Sequence, residues 1–363
     1  MTPPSVTEQF GVYVHVPFCA SRCDYCAFAT WTDRDPLMEA YADACVVEAR
    51  RAGRDEGLPP ATSVFVGGGT PSRLPAELLG RILGALDMAP GAEVTAECNP
   101  EDASAARFAA WRRSGVNRVS FGVQSMVPHV LESLGRRHGT TEVAQAVQLA
   151  AEAGLDSVNV DLILGAAAET DADLVRTLDA VLGLEPRPTH VSAYGLTVEP
   201  GTPLARDPAR HPDDDVVARR YAMVDAALSA AGYRWYEVSN WAVPGHECRH
   251  NALYWAQGDY RGIGCAAHSH RGRRRWWNIR TPERYIEAVG AGSDATAADE
   301  VLSDEQVAFE GLALSLRTSV GVPATVVPDD PDLDGLVERH GDRAVLTMRG
   351  RLLANEVTVR LRA

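Results

Sequence analysis

From residue 11 to about residue 240, short runs of β-branched residues alternate with amphipathic stretches rich in Ala, Leu, Glu and Arg. This pattern predicts strands at residues 11–16, 63–66, 93–96, 117–121, 157–163, 190–194 and 233–238. It predicts helices at residues 36–52, 75–86, 103–114, 141–153, 171–182 and 214–230. Because each connection is long enough for a crossover helix, the strands should form a parallel sheet. Six such units fall short of the eight in a closed barrel, so we expect an α/β fold that is a partial (β/α)6 TIM-like barrel with an open cleft.

Beyond residue 240 the alternation stops, and residues up to about 295 are rich in Trp, Tyr, Gly, His and Arg. We expect this part to be an irregular segment that covers the cleft. The tail predicts a helix at 304–316, an acidic loop at 328–334 and a hairpin of strands 344–348 and 351–359. The predicted domains are a core barrel at 1–235, a covering segment at 236–295 and a small α+β C-terminal domain at 296–363.

The formal net charge of -14 argues against a general nucleic-acid or anionic-membrane surface. The N-terminus lacks the basic and apolar regions of a signal peptide, and no apolar run approaches the ~20 residues that span a bilayer. We therefore expect a cytoplasmic protein with no transmembrane segment and no nucleic-acid partner. Seven cysteines is an odd number, and three of them lie within eight residues, which suits a metal site better than a disulfide framework.

Cys19, Cys23 and Cys26 follow the first predicted strand in one short loop. Three thiolates on a [4Fe–4S] cube leave one iron open, and a bidentate amino-acid ligand needs such an open position. Structural zinc is the alternative, but zinc usually takes four ligands in two separated pairs, and a second pair is missing from this sequence.

Polar and glycine residues follow the other predicted strands. Gly67, Gly68, Gly69 and Thr70 follow the second strand, Glu97 the third and Gln124 the fourth, Asp161 lies within the fifth, and Tyr194 and Gly195 end the sixth. A strand-end or helix-cap role is about as good an explanation for any one of them. Together they should meet the cysteines at the carboxyl-terminal rim, where barrel enzymes place their sites.

With these motifs the chain resembles the radical S-adenosylmethionine (SAM) superfamily, and within it the oxygen-independent coproporphyrinogen III oxidase-like group (HemN-like). The resemblance runs from residue 11 to the C-terminus and rests on Tyr13-Val-His-Val-Pro-Phe-Cys19, Phe65-Val-Gly-Gly-Gly-Thr-Pro71, Ser120-Phe-Gly-Val-Gln-Ser125, Leu134-Gly-Arg-Arg-His138 and Val160-Asp-Leu-Ile163. It implies that Tyr13, Gly68 and Glu97 contact the cluster-bound SAM. Positions that hold a second SAM in the oxidase correspond to Tyr25, Gly69, Thr70, Gln124, Arg136, Asp161 and Gly195; use of that second site stays open.

Two features separate this chain from the oxidases. Phe28 stands where those enzymes carry a fourth cysteine, and His250-Asn-Ala-Leu-Tyr-Trp255 matches the HNxxYW signature of the haem chaperone (HemW) branch, which is associated with haem binding. His250 is thus the predicted haem ligand, and the arginines at 271 and 273–275 are candidates for pairing with haem propionates. A histidine held by hydrogen bonds and a solvated arginine cluster are the alternatives.

The leading hypothesis is a protein that binds a [4Fe–4S] cluster, SAM and haem and transfers the haem to an acceptor protein. Its other partner would be an electron donor such as flavodoxin or ferredoxin. The alternative is a radical SAM enzyme, such as a HemN-like methyltransferase or cyclopropanase that uses one or two SAM molecules. A coproporphyrinogen III oxidase is less favoured because of Phe28.

Overall fold

The structure is a computed structural model that describes residues 9–361. Most of the chain is built around one large sheet, and a second sheet of three strands lies near the C-terminus. The strands are β1 Phe10–Val16, β2 Ala61–Gly68, β3 Met88–Cys98, β4 Arg118–Gln124, β5 Ser157–Leu164, β6 His190–Gly195, β7 Arg234–Glu237, β8 Asn240–Ala242, β9 Asp259–Ile263, β10 His268–Arg271, β11 Arg274–Asn278, β12 Thr296–Val301, β13 Val322–Pro323, β14 Val337–His340 and β15 Arg343–Leu346. The helices are α1 Met38–Asp55, α2 Ala76–Leu83, α3 Ala105–Arg113, α4 Pro128–Ser133, α5 Thr140–Glu152, α6 Asp171–Leu182, α7 Asp214–Ala230, α8 Arg249–Trp255, α9 Pro282–Gly290, α10 Asp304–Ser315, α11 Met348–Leu352 and α12 Ala354–Thr358.

Strands β1 to β6 pair in sequence order and all run parallel. Side chains alternate between the two faces of each strand. On β1, for example, Val12, Val14 and Val16 are buried in the main hydrophobic core, whereas Tyr13 and His15 lie on the opposite, inner face. The predicted partial (β/α)6 barrel is confirmed.

The segment predicted to be an irregular cover is instead regular, and that prediction was wrong. Strand β9 pairs in parallel with β1, and β10, β11 and β12 follow it in antiparallel order, so this region extends the sheet at the β1 edge. At the other edge β8 pairs antiparallel with β6. An open barrel has two edges with unpaired backbone groups, and these additions satisfy them.

The C-terminal hairpin also differs from its prediction. It is formed by β14 and β15 with Gly341 at φ 63° in the turn, whereas residues 348–358 form α11 and α12. The Thr347 side chain accepts a hydrogen bond from Gly350 N, which caps α11 and starts a helix where a strand was predicted. Residues between 316 and 361 share a separate small core, but β12 belongs to the large sheet; the three-part domain division stays a prediction.

Because β1 to β6 are parallel, their carboxyl ends meet at one rim, and the opposite end of the barrel forms a floor. The helix α8 contacts β1 and β2. In the described part of the chain, every helix is too short or too polar to cross a membrane.

Candidate functional site

The cysteine loop is closed at its base by backbone hydrogen bonds. Cys19 N donates to Trp31 O at 3.0 Å, and Trp31 N donates to Pro17 O at 2.8 Å. Within the loop, Cys26 N donates to Cys23 O at 3.1 Å, which forms a tight turn. Burial raises the pKa of the Cys19 and Cys26 thiols, so their thiolate forms need a bound cation to be stable.

The glycine loop after β2 packs directly on the cysteine loop. Gly69 N donates to Val16 O at 2.8 Å, and Thr70 N donates to Phe18 O at 2.8 Å. A Cβ on Gly69 would lie 2.8 Å from Val16 O and 3.0 Å from the Sγ of Cys19. The Thr70 hydroxyl donates to the same sulfur at 3.5 Å. Glycine is therefore required at position 69 for the two loops to touch.

His15 supports both loops from inside the barrel. A Cβ on Gly68, which has φ 112°, would lie 2.4 Å from the His15 ring. The Nε2 of His15 lies 3.0 Å from Ala29 O, which can only accept, so Nε2 carries the proton. Burial lowers the pKa of His15 to about 4, so the ring is neutral, and its Nδ1 accepts from the Tyr13 hydroxyl at 3.1 Å.

Two carboxyl groups face the inner end of this site. Glu97 accepts a hydrogen bond from Gly68 N at 3.2 Å, and burial, with a smaller effect of Asp161, raises its pKa to about 8. Asp161 accepts from Ser120 Oγ at 2.9 Å and from Asn159 Nδ2 at 2.8 Å. Burial also raises the pKa of Asp161. The pair is suited to hydrogen bonding with a cationic or hydroxyl-bearing ligand, since such partners favour the charged forms.

The far wall of the site is held by Arg136. Its Nη2 donates to Asn99 Oδ1 at 2.8 Å and to Gly122 O at 2.7 Å, while its Nη1 lies 3.7 Å from the Sγ of Cys23. Its buried Nε has no hydrogen-bond partner within the described chain. Nearby, Gln124 ends β4 at φ 65°, an unusual conformation for a residue with a side chain, and β4 loses its regular register there.

These residues surround one cavity of about 630 Å³, a size typical of ligand sites. The three cysteines line it, as do nine of the ten residues predicted to contact SAM: Tyr25, Gly68, Gly69, Thr70, Glu97, Gln124, Arg136, Asp161 and Gly195. Tyr13 is not among the lining residues, and its hydroxyl is bonded to His15.

Among residues 9–361, no three His, Cys, Asp or Glu side chains gather closely enough to share a single ion. Three sulfurs that each bind a different iron of a cube need not meet that condition, because the cluster stands between them.

His250 lies at the other end of the barrel. It is 1% exposed, its Nδ1 is 3.0 Å from Ser63 Oγ and its Nε2 is 2.8 Å from the Tyr254 hydroxyl. The ring also stacks on Phe65 at 5.7 Å between centroids. The floor of the cavity reaches the neighbouring residues Cys248 and Asn251. The structure therefore does not bring His250 to the cysteines, and both ring nitrogens already have partners.

The arginines at 271 and 273–275 also have hydrogen-bond or ion-pair partners within the protein. The four side chains have these acceptors: Glu56 O for Arg271, Asp304 for Arg273, Asp299 for Arg274, and Glu300 with Glu310 for Arg275. Arg271, Arg273 and Arg274 are nevertheless exposed, so the cluster is a solvated surface patch whose ion pairs join β11 to β12 and α10.

Polar residues inside the barrel were missed at the sequence level. Ser120, Asn159, Ser192, His190 and Arg118 all line the cavity. Strands of a parallel barrel are expected to be apolar on both faces, so polar residues at alternate positions, such as Asn159 and Asp161, were the available signal.

The comparisons agree with this geometry. A model of the radical SAM superfamily matches residues 13–181. The protein named heme chaperone HemW in Mycobacterium tuberculosis is 43% identical to this chain, with 98% of this chain and 95% of the relative aligned. The HemW of Bacillus subtilis is 30% identical, with 96% and 97% aligned. The chain belongs to the HemW family of radical SAM proteins. Membership of the superfamily implies a [4Fe–4S] cluster and SAM.

Solved structures support the fold. Coproporphyrinogen III oxidase (HemN) from Escherichia coli, a radical SAM enzyme, matches 98% of this chain and 90% of its own with a TM-score of 0.84. The sequence identity is 22%, so this likeness concerns the fold alone. The chain thus shares a HemN-like fold with an enzyme and extended sequence similarity with HemW proteins.

Proposed function

We propose that this protein binds haem and transfers it to an acceptor protein, with a cluster and SAM held in the barrel cavity. The observation that carries the proposal is the 43% identity to a heme chaperone HemW along almost the whole chain. Phe28, 65% exposed at the cavity, occupies the place of the oxidases' fourth cysteine and favours the same function. The acceptor protein, and an electron donor such as flavodoxin or ferredoxin, are further partners that the proposal includes.

In this proposal Cys19, Cys23 and Cys26 hold the cluster. When bound, the cluster supplies an open iron for SAM and an electron for its reduction. The protein supplies the surroundings: the glycine loop allows close backbone approach, and Glu97 accepts hydrogen bonds from the ligand. Arg136, which lines the cavity, supplies a cationic partner for a carboxylate or ribose oxygen.

Haem binding through His250 requires a change at the floor. The Nε2 of His250 must leave the Tyr254 hydroxyl before it binds iron, and a ring that is 1% exposed must become accessible. We propose that α8 moves out from the floor during haem capture. Since α8 is a helix of only seven residues, its release is a local event.

This predicts opposite effects for two substitutions. Tyr254→Phe frees Nε2 and should tighten haem binding by about 2- to 10-fold, which corresponds to one hydrogen bond. His250→Ala should weaken the haem Soret band while the cluster persists. Absorbance titration with hemin measures both.

His268→Ala is the matched control for that titration, because His268 is an exposed histidine that stacks on Trp277. Haem uptake by the His250→Ala variant equal to that of the wild type would rule out His250 as the ligand. A loss of haem binding in the His268→Ala variant would indicate instead that the histidine ligand of the haem lies at the rim.

A catalytic radical SAM enzyme is the second candidate, and the presence in one cavity of nine of the ten residues predicted to contact SAM favours it. This function predicts 5′-deoxyadenosine that accumulates only when substrate is present, after anaerobic reconstitution and reduction. A yield that equals the background without substrate would count against catalysis.

A further inference from the structure

A chain of hydrogen bonds crosses the inside of the barrel, and it begins at Asp161. The Asp161 carboxylate accepts from Asn159 Nδ2 at 2.8 Å, and Asn159 Nδ2 also lies 2.7 Å from Ser120 Oγ. A carboxylate accepts and does not donate, so the amide nitrogen of Asn159 must face it. The amide oxygen therefore faces the opposite way, toward His190.

His190 is held in one tautomer. Its Nδ1 lies 2.6 Å from Asn159 Oδ1, an atom that can only accept, so Nδ1 carries the proton. Burial lowers the pKa of His190 far below its ordinary value, so the ring is neutral and Nε2 is an acceptor. The Tyr236 hydroxyl, 2.8 Å away, donates to it.

This chain of hydrogen bonds ends at the N-terminus of the floor helix α8. Tyr236 accepts a hydrogen bond from Cys248 N at 3.2 Å, and Cys248 is the residue that precedes the first turn of α8. The same end of α8 is fastened by Glu93, which accepts from His250 N at 3.3 Å. Each link from Cys248 to Asp161 thus has a fixed direction: backbone N–H, hydroxyl, imidazole, amide, carboxylate.

We propose that His190 and Tyr236 are positioning residues for Asp161 and that they couple the docking of α8 to the affinity of the cavity for SAM. The proposal rests on the proposed function, because it takes α8 as the haem-binding element and Asp161 as a contact of SAM. With α8 docked, the Cys248 N–H keeps the Tyr236 hydroxyl turned toward His190, and Asp161 is oriented toward the cavity.

Release of α8 removes the first donor of the chain. The Tyr236 hydroxyl is then no longer held toward His190 by the Cys248 N–H, and the contact between His190 and Asn159 weakens. Asn159 keeps the hydrogen bond from Ser192 Oγ at 3.2 Å and Asp161 keeps the one from Ser120 Oγ at 2.9 Å, so Asp161 is held less firmly. Such buried chains respond as a unit, since a half-satisfied polar network is unfavourable in a low-dielectric interior. Haem capture, which draws α8 from the floor, should therefore weaken SAM binding, and by reciprocity SAM should weaken haem binding by the same factor.

The test uses the full-length chain with its reconstituted cluster. SAM affinity is measured by isothermal titration with and without one equivalent of hemin, in the wild type, Tyr236→Phe and Tyr221→Phe. Tyr221 is the control because its hydroxyl donates to Val238 O, outside the chain of bonds. In the wild type and in Tyr221→Phe, hemin should raise the dissociation constant of SAM by about fivefold or more. In Tyr236→Phe that ratio should fall to near one.

Without hemin, Tyr236→Phe should already bind SAM more weakly than the wild type, while its thermal midpoint stays close to that of Tyr221→Phe. His190→Phe removes both ring nitrogens from the same chain of hydrogen bonds and replaces Tyr236→Phe if that variant does not fold. An unchanged ratio in Tyr236→Phe, or a wild type that binds both ligands independently, overturns the proposal.

A wild type that binds no hemin refutes the proposed function instead. In that case SAM titration alone decides the positioning role. Equal SAM affinity in the wild type and Tyr236→Phe overturns it, and a loss of affinity confined to Tyr236→Phe supports it.

Discussion

Replacing Gly69 by alanine tests whether contact between the glycine loop and the cysteine loop holds the site together. The added Cβ would lie 2.8 Å from Val16 O, 2.9 Å from Phe18 O and 3.0 Å from the Sγ of Cys19. Two of these atoms are backbone oxygens and cannot rotate away. The loops must therefore separate by a few tenths of an ångström, or Cys19 must move.

The expected loss in the free energy of unfolding can arise in two ways. Overpacking of this kind costs roughly 1–3 kcal/mol. Separation of the loops instead weakens the hydrogen bonds from Gly69 N and Thr70 N, each contributing about 1 kcal/mol. Both routes give a loss of about 2 kcal/mol in the free energy of unfolding, together with a displaced cluster ligand.

Urea unfolding of the cluster-free protein measures the first effect, and iron and sulfide content after anaerobic reconstitution measures the second. Gly53→Ala is the matched control, because Gly53 lies in α1 with no heavy atom within 4 Å of the added Cβ. That variant should gain roughly 0.5–1 kcal/mol, as alanine favours helices over glycine. A Gly69→Ala variant with wild-type stability and full cluster content would refute the proposed contact.

The other predictions concern the cluster, a buried carboxyl and the C-terminal region. Alanine at all three loop cysteines should abolish iron and sulfide incorporation, whereas Cys45→Ala, at a buried position outside the cavity, should retain both. The raised pKa of Glu97 means that the folded state binds more protons than the unfolded chain between pH 4.5 and about 8. The free energy of unfolding of the cluster-free protein should therefore fall as pH rises through this window, and urea titrations of Glu97→Gln should show a smaller fall. Arg351 pairs with Asp225 at 2.8 Å and stacks on Trp235 at 3.7 Å, so Arg351→Ala should lower urea stability by about 1–2 kcal/mol; no loss would mean that these contacts are not stabilising.

Much of the site was predictable because its residues follow from local rules. The alternation of strand and helix places the ends of β1 to β6 at one rim, so the position of Glu97 or Asp161 on its strand already indicates where its side chain lies. The residues that line the inside of the barrel below the rim were harder to predict. His15 and Asn159 act through hydrogen bonds to other site residues, and their patterns resemble those of ordinary strand residues.

The errors occurred where pairing is non-local. Residues 259–263 have no strong strand pattern of their own, and they form β9 because β1 offers a free edge about 250 residues earlier in the chain. The C-terminal hairpin was misplaced because the apolar residues at 351–359 suit either a helix or a strand, and the Thr347 cap decided for the helix.

The sequence by itself determined the class of barrel, the three cysteines in one loop and the rim residues that surround the cavity, since each depends on spacing along a strand or a turn. Only the tertiary structure decided what surrounds His250 and the arginine cluster. His250 meets Ser63 across 187 residues of sequence, and the arginines meet carboxylates on β12 and α10. Spacing along the chain carries no information about such partners, because they are brought together only when the barrel closes on its floor helix.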